Sequence, residues 1–145
     1  MIKVLLEAAA GSRNKNRYDE KTLEFKGTSQ ISRPYPYPYG FIIGTIAADG
    51  DSVDCYIITK DTLKAGKIVE CEPIGLLEQE EDGEVDHKVL AAIPGQDVTL
   101  SQELREELRE FIYAVFAQFP EVHLNIGRIL PREMALQHIQ RQQDG

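Results

Sequence analysis

The sequence predicts an α+β protein in which a small β-barrel is followed by helices that pack on its outside. Residues 2–94 contain short apolar stretches separated by Gly, Pro and Asp turns, whereas later apolar residues recur at helical spacing. This segregation of strands and helices is typical of α+β folds. The chain has 145 residues, enough for one domain with a substantial core. We therefore expect residues 1–145 to form a single domain.

Short strands are predicted along the first two thirds of the chain. The stretches that predict them are residues 2–8, 23–25, 41–46, 53–59, 68–77 and 88–94. The polar segment 11–21 predicts a loop or hairpin. Residues 34–40 (PYPYPYG) are extended, because proline lacks a backbone donor and restricts the residue before it. Residues 78–87, which are rich in acids, predict a loop.

Two helices are predicted in the last third of the chain. The apolar face of the first, long helix consists of Leu104, Leu108, Phe111, Ile112, Val115, Phe116 and Phe119. Thr99, followed three residues later by Gln102, resembles a capping box, and Pro120 is expected to end this helix. A second, weaker helix is predicted from Pro131 to about Gln142, with the proline in its first turn.

Composition narrows the functions to consider. The chain has 24 acidic residues and 16 Lys plus Arg, and its formal net charge is −8. This charge, with no basic stripe, argues against nucleic-acid binding. No apolar run approaches the ~20 residues of a membrane span, and a signal-peptide pattern is lacking, so we expect a protein that binds no membrane. Cys55 and Cys71 form neither a CxxC pair nor a zinc motif, which favours buried free thiols over a redox pair.

The segment DGDSVD at residues 49–54 is the first candidate site. It places Asp49, Asp51 and Asp54 around a turn and the start of a strand, where their side chains can converge. Carboxylates this close repel each other unless a cation lies between them, and hard oxygen ligands favour Mg²⁺, Mn²⁺ or Ca²⁺. The alternative is a solvated acidic turn, and the spacing alone does not decide between the two.

Two further groups of residues extend this candidate site. A second acidic cluster, residues 78–86, is followed at once by Lys88; its alternative interpretation is a flexible solvated loop. The basic and aromatic candidates are Arg13, Lys15 and Arg17 in the first polar segment, and Tyr35, Tyr37 and Tyr39 in the proline segment. Cations facing metal-binding carboxylates indicate an anionic substrate bridged to the protein by metals, commonly a phosphate. Tyr39, beside Gly40, is the best candidate for a functional hydroxyl.

Four ordered segments carry a resemblance to a known family. They are Glu7 with residues 10–15 (AGSRNK), residues 35–45 (YPYPYGFIIGT), residues 49–54 (DGDSVD) and residues 73–88 (PIGLL, the acidic segment and DHK). Together they resemble the soluble inorganic pyrophosphatases of the first family, which are Mg²⁺-dependent barrel enzymes. The resemblance covers about residues 4–94. It implies a closed, OB-like barrel of about five strands with one long and one short C-terminal helix outside. It also implies a cytoplasmic protein and a homo-oligomer (hexamer or trimer).

The resemblance also implies a site and a reaction. The implied metal ligands are Asp49, Asp54 and Asp86 for the first Mg²⁺ (Mn²⁺ being the alternative), Glu81 for a further ion, and Asp51. The implied substrate-binding residues are Lys15, Tyr39 and Lys88, with Glu7 supporting the site through the metals' water shell. Asp51 would be the base for the attacking water, with Asp54 and Tyr39 as the other catalytic residues. The implied reaction is Mg²⁺-dependent hydrolysis of pyrophosphate to two phosphates by metal-activated water.

The chain departs from the family pattern at its phosphate clamp. Arg17 stands where the family has Glu, Gly27 where it has a phosphate-binding Arg, and Phe119-Pro120 where it has a Tyr-Lys pair. The residues that could replace these contacts are Lys26, Arg33 and Arg128. Two alternatives to pyrophosphate hydrolysis therefore stay open. One is a catalytically weak or inactive relative that binds metal or phosphate, and the other is a hydrolase of another phosphoanhydride.

Overall fold

The computed structural model describes residues 1–46 and 51–144. The elements in these ranges are β1 (Ile2–Ala8), β2 (Asn14–Tyr18), β3 (Phe25–Gln30), β4 (Tyr39–Ile42), β5 (Asp54–Ile57), β6 (Ile68–Glu81), β7 (Glu84–Val85), β8 (Lys88–Ala92), α1 (Gln102–Phe116), β9 (Leu124–Pro131) and α2 (Arg132–Asp144). The predicted order of strands followed by helices is thus confirmed, except that β9 lies between the two helices.

Five of the strands pair in a closed ring. Strand β1 pairs antiparallel with both β4 and β6, β4 pairs antiparallel with β5, β5 pairs parallel with β8, and β8 pairs antiparallel with β6. Because the pairing of β6 with β1 returns to the first strand, the ring is complete and its members gain hydrogen-bonded neighbours on both sides. The predicted α+β fold with a barrel of about five strands is confirmed.

The contact between β1 and β4 depends on a glycine. A Cβ on Gly40 would lie 2.0 Å from the carbonyl oxygen of Leu5, so no side chain fits there without separating the strands. The register of this pair shifts between Leu6 and Ala8, which places Glu7 at an irregularity. Such bulges re-aim a side chain, and Glu7 points into the site described below.

The strands bury their two faces against different partners. Alternate residues of β5 and β8, such as Cys55 and Val89, belong to one apolar cluster that includes Ala135 and Ile139 of α2. Residues of the opposite face, such as Tyr56 and Leu90, belong to a second cluster against α1, to which the helix contributes Leu104, Leu108 and Ile112. The four-residue spacing of these helix residues is the predicted amphipathic stripe.

The segment predicted as an acidic loop is a β-hairpin, so that prediction was wrong. Strand β6 runs on to Glu81 and pairs there with β7, while β9 pairs along its other edge. The turn is formed by Asp82 and Gly83, both with positive φ. Partners on both sides satisfy the backbone of β6 and override the low strand propensity of its acidic residues. The predicted loop acids are therefore held on a rigid element.

The bounds of the C-terminal elements also differ from those predicted. The N-cap of α1 is Ser101, not Thr99, since its hydroxyl accepts a hydrogen bond of 3.1 Å from the backbone N–H of Leu104. Helix α1 ends at Phe116, before Pro120, and α2 follows β9 directly and continues to Asp144. Neither helix in the described ranges is long and apolar enough to cross a membrane.

Candidate active site

A cavity of about 640 Å³ brings together residues from β1, the β2–β3 hairpin, the start of β5, the β6–β7 hairpin and α2. Its acidic lining residues are Glu7, Glu20, Asp51, Asp54, Glu81, Glu84 and Asp86, and its cationic ones are Lys15, Arg17 and Lys26. The sequence had singled out six of these as site residues: Glu7, Lys15, Asp51, Asp54, Glu81 and Asp86. Asp49, which was also predicted as a site residue, lies outside the described residues.

Lys88 ties two of the predicted metal ligands together. Its ammonium donates hydrogen bonds of 2.6 Å to Asp54 and 2.8 Å to Asp86. The parallel register of Cys55 with Val89 sets Asp54 beside Lys88 at the start of the neighbouring strand. Burial alone would lower the pKa of Lys88, which is 5% exposed, but the charges of Asp54 and Asp86 prevail and raise it. Lys88 is therefore a permanent buried cation between two carboxylates.

Tyr39 lies behind this ion pair, with its ring facing two cations. The ring centroid is 5.5 Å from Nζ of Lys15 and 5.9 Å from Nζ of Lys88, within the range of cation–π attraction. Burial, followed by the charge of Asp54, raises the pKa of the Tyr39 hydroxyl well above its usual range. The hydroxyl therefore stays protonated and can act as a donor.

A second cavity, of about 260 Å³, adjoins the first. The two share Lys15, Asp54 and Asp86, and the second is also lined by Tyr39 and Lys88. Its apolar wall comes from α1: Phe111, Ile112, Val115 and Phe116. Gln79, which is 2% exposed, also lines it, and its Oε1 has no hydrogen-bond partner within the part of the chain that the structure describes.

Two glutamates of the main cavity have strongly raised pKa values. Burial raises the pKa of Glu7 to about 7, although nearby Lys15 opposes the shift. Burial also raises the pKa of Glu81 to about 7, assisted by a hydrogen bond with Asp86. The charge of Lys88 helps keep the pKa of Asp86 low, so the proton of this carboxyl pair lies on Glu81. Carboxyl groups that must retain a proton near neutral pH favour a cation in its place.

Several residues of this cavity were missed in the sequence. Glu20 lies in the β2–β3 turn, and its Oε1 accepts a hydrogen bond of 3.4 Å from the backbone N–H of Ser52. Burial, followed by the charges of Asp54 and Asp51, raises its pKa. His87 and His138 also line the cavity, with ring centroids 5.5 Å apart. No motif in the sequence indicated Glu20, because the contact between the β2–β3 turn and Ser52 is set by the tertiary structure.

Of the three candidates to replace the missing phosphate contacts, only one lies in either cavity. Lys26 lines the main cavity and forms an ion pair of 3.6 Å with Asp19. Arg128 instead donates to Glu78 at 3.0 Å, and Arg33 lines neither cavity. The sequence-based suggestion that Arg33 and Arg128 compensate for the lost contacts is therefore wrong for this arrangement.

The carboxylates suit a hard divalent cation without forming a complete cage. No group of three Asp, Glu, His or Cys side chains in residues 1–46 and 51–143 is arranged to hold a metal ion by itself. Mg²⁺ usually keeps several waters and binds through one or two carboxylates together with substrate phosphates. Asp54 and Asp86 converge on one ammonium, and Glu81 shares a proton with Asp86. Oxygen donors of this kind suit a hard divalent cation.

Fold and site together define an OB-like barrel protein with a cavity in which carboxylates and cations face each other. The chain matches the inorganic pyrophosphatase family over residues 4–143, and it belongs to that family. The inorganic pyrophosphatase of Nostoc sp. (strain PCC 7120) is 39% identical over 100 residues, which cover 67% of this chain and 58% of that protein. The inorganic pyrophosphatase of Aquifex pyrophilus is 32% identical over 134 residues, which cover 83% of this chain and 73% of that protein.

Solved structures show the same fold. The crystal structure of an inorganic pyrophosphatase from Neisseria gonorrhoeae aligns with a TM-score of 0.85 at 26% identity, over 99% of this chain and 90% of that chain. The crystal structure of the inorganic pyrophosphatase from Thermus thermophilus aligns with a TM-score of 0.84 at 25% identity, over 98% of this chain and 88% of that chain. By sequence, the match spans just over half the length of the Nostoc and Synechocystis relatives.

Proposed function

We propose that this protein hydrolyses inorganic pyrophosphate to two phosphates. The observation that carries the proposal is a single cavity in which the acids Asp51, Asp54 and Asp86 face the cations Lys15 and Arg17. Membership of the inorganic pyrophosphatase family supports the proposal, as do the names of the relatives. The cations attract a diphosphate, whereas the carboxylates repel it unless divalent cations intervene. The reaction is therefore proposed to depend on a metal.

The proposed metal is Mg²⁺, with Mn²⁺ as the alternative. Asp49, Asp54 and Asp86 would hold one ion, and Glu81 and Asp51 would contribute to others. When bound, such an ion lowers the pKa of water and neutralises phosphate oxygens. We assign Asp51 as the base for the attacking water. Glu20, which the fold brings to the same cavity, is added to the proposed acidic set.

The remaining residues bind and orient the substrate in this proposal. Lys15 lines both cavities and can reach an anion in either. The protonated hydroxyl of Tyr39 donates to a phosphate oxygen, and Lys88 holds Asp54 and Asp86 in position while offering its third ammonium proton. Glu7, aimed inward by the irregularity in β1, supports the water around the acids.

The test is phosphate release from pyrophosphate by protein that has been stripped with EDTA, with and without added MgCl₂. Release only in the presence of Mg²⁺ is expected, and a phosphate monoester serves as the control substrate. No release above background at saturating Mg²⁺, with Mg²⁺ binding intact by calorimetry, would overturn the proposal. That result would favour a non-catalytic relative that binds metal or phosphate.

One observation favours a second candidate, the hydrolysis of a substituted phosphoanhydride. The second cavity continues from the acids to an aromatic wall that includes Phe111 and Phe116, and it offers room for an apolar group. Comparing the kcat/KM for pyrophosphate with that for methyl diphosphate and ADP decides between the candidates. A larger value for a substituted substrate would favour the second.

We also propose that the chain forms a homo-oligomer, a hexamer or trimer. Several large apolar side chains are exposed in the single chain, among them Phe25, Ile68 and Leu136. Light scattering on the purified protein measures the molar mass, and a value near 16 kDa at micromolar concentration would contradict the proposal.

A further inference from the structure

Arg17 and Gly27 lie directly opposite each other in the β2–β3 hairpin. They are register partners, and the register shifts immediately after them, because Tyr18 pairs with Phe25 and leaves Lys26 as the extra residue. This is a β-bulge, a feature that re-aims neighbouring side chains. The hairpin therefore presents Arg17 and the extra residue Lys26 to the main cavity, which both of them line.

Gly27 leaves the space that the Arg17 guanidinium occupies. A Cβ built on Gly27 would lie 3.2 Å from Nη2 of Arg17, closer than most real contacts of this kind. The φ angle of Gly27 is +134°, a conformation that side chains other than glycine rarely adopt. A larger residue at position 27 would therefore strain the backbone and require the Arg17 guanidinium to shift by a few tenths of an ångström.

The two cations presented by the hairpin are not equivalent. Lys26 is engaged in an ion pair with Asp19. No carboxylate among the described residues lies within ion-pair distance of the exposed Arg17 guanidinium. A cavity-lining guanidinium without an ion-pair partner among the described residues offers a planar set of donors that matches two phosphate oxygens.

We propose that Arg17 is the phosphate-binding guanidinium of this site. The inference rests on the proposed function. Its geometric basis is the bulge beside Gly27, which presents Arg17 to the main cavity that Glu20 of the same hairpin also lines.

The test measures the binding of methylenediphosphonate, a non-hydrolysable diphosphate, by calorimetry in the presence of Mg²⁺. Arg17→Gln should weaken binding by about ten- to a hundredfold, the range expected for lost charge-assisted hydrogen bonds. The affinity of Arg17→Lys should lie between those of the unaltered chain and of Arg17→Gln, because lysine keeps the positive charge but lacks the planar guanidinium. Lys26→Gln should have a smaller effect. Arg132→Gln, an exposed arginine at the start of α2, is the matched control and should bind as the unaltered chain does.

Because Arg17 is exposed, its substitution should leave the fold intact, and the thermal unfolding of each variant checks this. Unchanged binding in Arg17→Gln, or a larger loss in Lys26→Gln, overturns the inference. If the unaltered chain binds the diphosphonate but releases no phosphate from pyrophosphate, the proposed function fails while the binding series still decides the role of Arg17. If the unaltered chain does not bind the diphosphonate, the inference about Arg17 is overturned, while the phosphate-release assay decides the proposed function separately.

Discussion

The ammonium nitrogen of Lys88 lies 2.6 Å from Oδ2 of Asp54, although 34 residues separate the two in the chain. The contact exists because β5 and β8 run parallel in the closed ring, so that their first residues lie side by side. It joins the segment from Asp51 to Asp54 to the hairpin of β6 and β7, and both of these carry acids of the candidate site.

Replacing Lys88 with Met should destabilise the protein. The substitution leaves Asp54 and Asp86 close together without their cation, and removal of one partner from a buried ion pair costs about 3–5 kcal/mol. We expect a loss near 3 kcal/mol in the free energy of unfolding, because Asp86 is partly exposed and can be hydrated. Urea denaturation without divalent cations measures it. Lys64→Met, at an exposed position, is the control, and equal stability of the two variants would refute the prediction.

Stability without divalent cations should fall as the pH rises towards 7. Glu7 has a pKa of about 7 in the folded chain and near 4.5 when unfolded, so the folded state holds its proton longer. Its contribution is therefore largest below about pH 4.5 and is lost as the pH rises through 7, by about 3 kcal/mol in total. Glu7→Gln should flatten this slope of unfolding free energy against pH. Glu81 acts in the same direction, so some slope should remain.

The control for this pH series is Glu70→Gln, at an exposed position on β6. It should retain the full slope. A Glu7→Gln variant with the slope of the unaltered chain would show that burial does not hold the proton on Glu7.

Asp51→Asn should remove the proposed activity while leaving the fold intact. An amide keeps the size of the carboxylate but cannot accept the proton of an attacking water, and loss of a general base typically costs about 10²–10⁴-fold. Phosphate release gives the rate, and circular dichroism reports the fold. Asp97→Asn, an exposed acid before α1, should keep full activity. An active Asp51→Asn variant would assign the base elsewhere.

Glu20→Gln should raise the Mg²⁺ concentration needed for half-maximal phosphate release. The side chain lies close enough to Asp51 and Asp54 for their charges to raise its pKa, and removing one acid weakens the attraction for a cation. We expect a shift of about three- to tenfold. Glu24→Gln, four residues along the same hairpin and exposed, is the matched control. If both variants respond alike, the effect belongs to general surface charge.

Ser101→Ala should cost about 1 kcal/mol of stability, the usual value for an N-cap whose side chain accepts a helix N–H. The hydroxyl of Ser101 makes this bond to Leu104. Thr99→Ala should change the unfolding free energy by much less, since its side chain does not cap α1. If urea denaturation shows a larger loss of unfolding free energy for Thr99→Ala than for Ser101→Ala, Thr99 is the N-cap, as the sequence predicted.

Local sequence patterns predicted several elements of the fold correctly. The strand that contains Cys55 and Tyr56, and the helix with the four-residue spacing of Leu104, Leu108 and Ile112, were predicted because such patterns depend on neighbours in the chain. The failures have a common cause. The acidic end of β6 and the whole of β9 are strands because each provides the other with backbone partners, and no local residue preference encodes that pairing.

The sequence by itself determined the class of fold, the acids Asp51, Asp54 and Asp86 as candidates, and the resemblance that the family match confirmed. Lys15 and Lys88 were also predicted, but only the tertiary structure decided which further residues reach the site. Arg128 forms an ion pair with Glu78 and lines neither cavity. Arg17, whose guanidinium lies beside Gly27, lines the main cavity, and so does Glu20 from the β2–β3 turn. The reason is physical: a motif records residues that are adjacent in the chain, but the site is assembled by strand register and bulges that join distant segments.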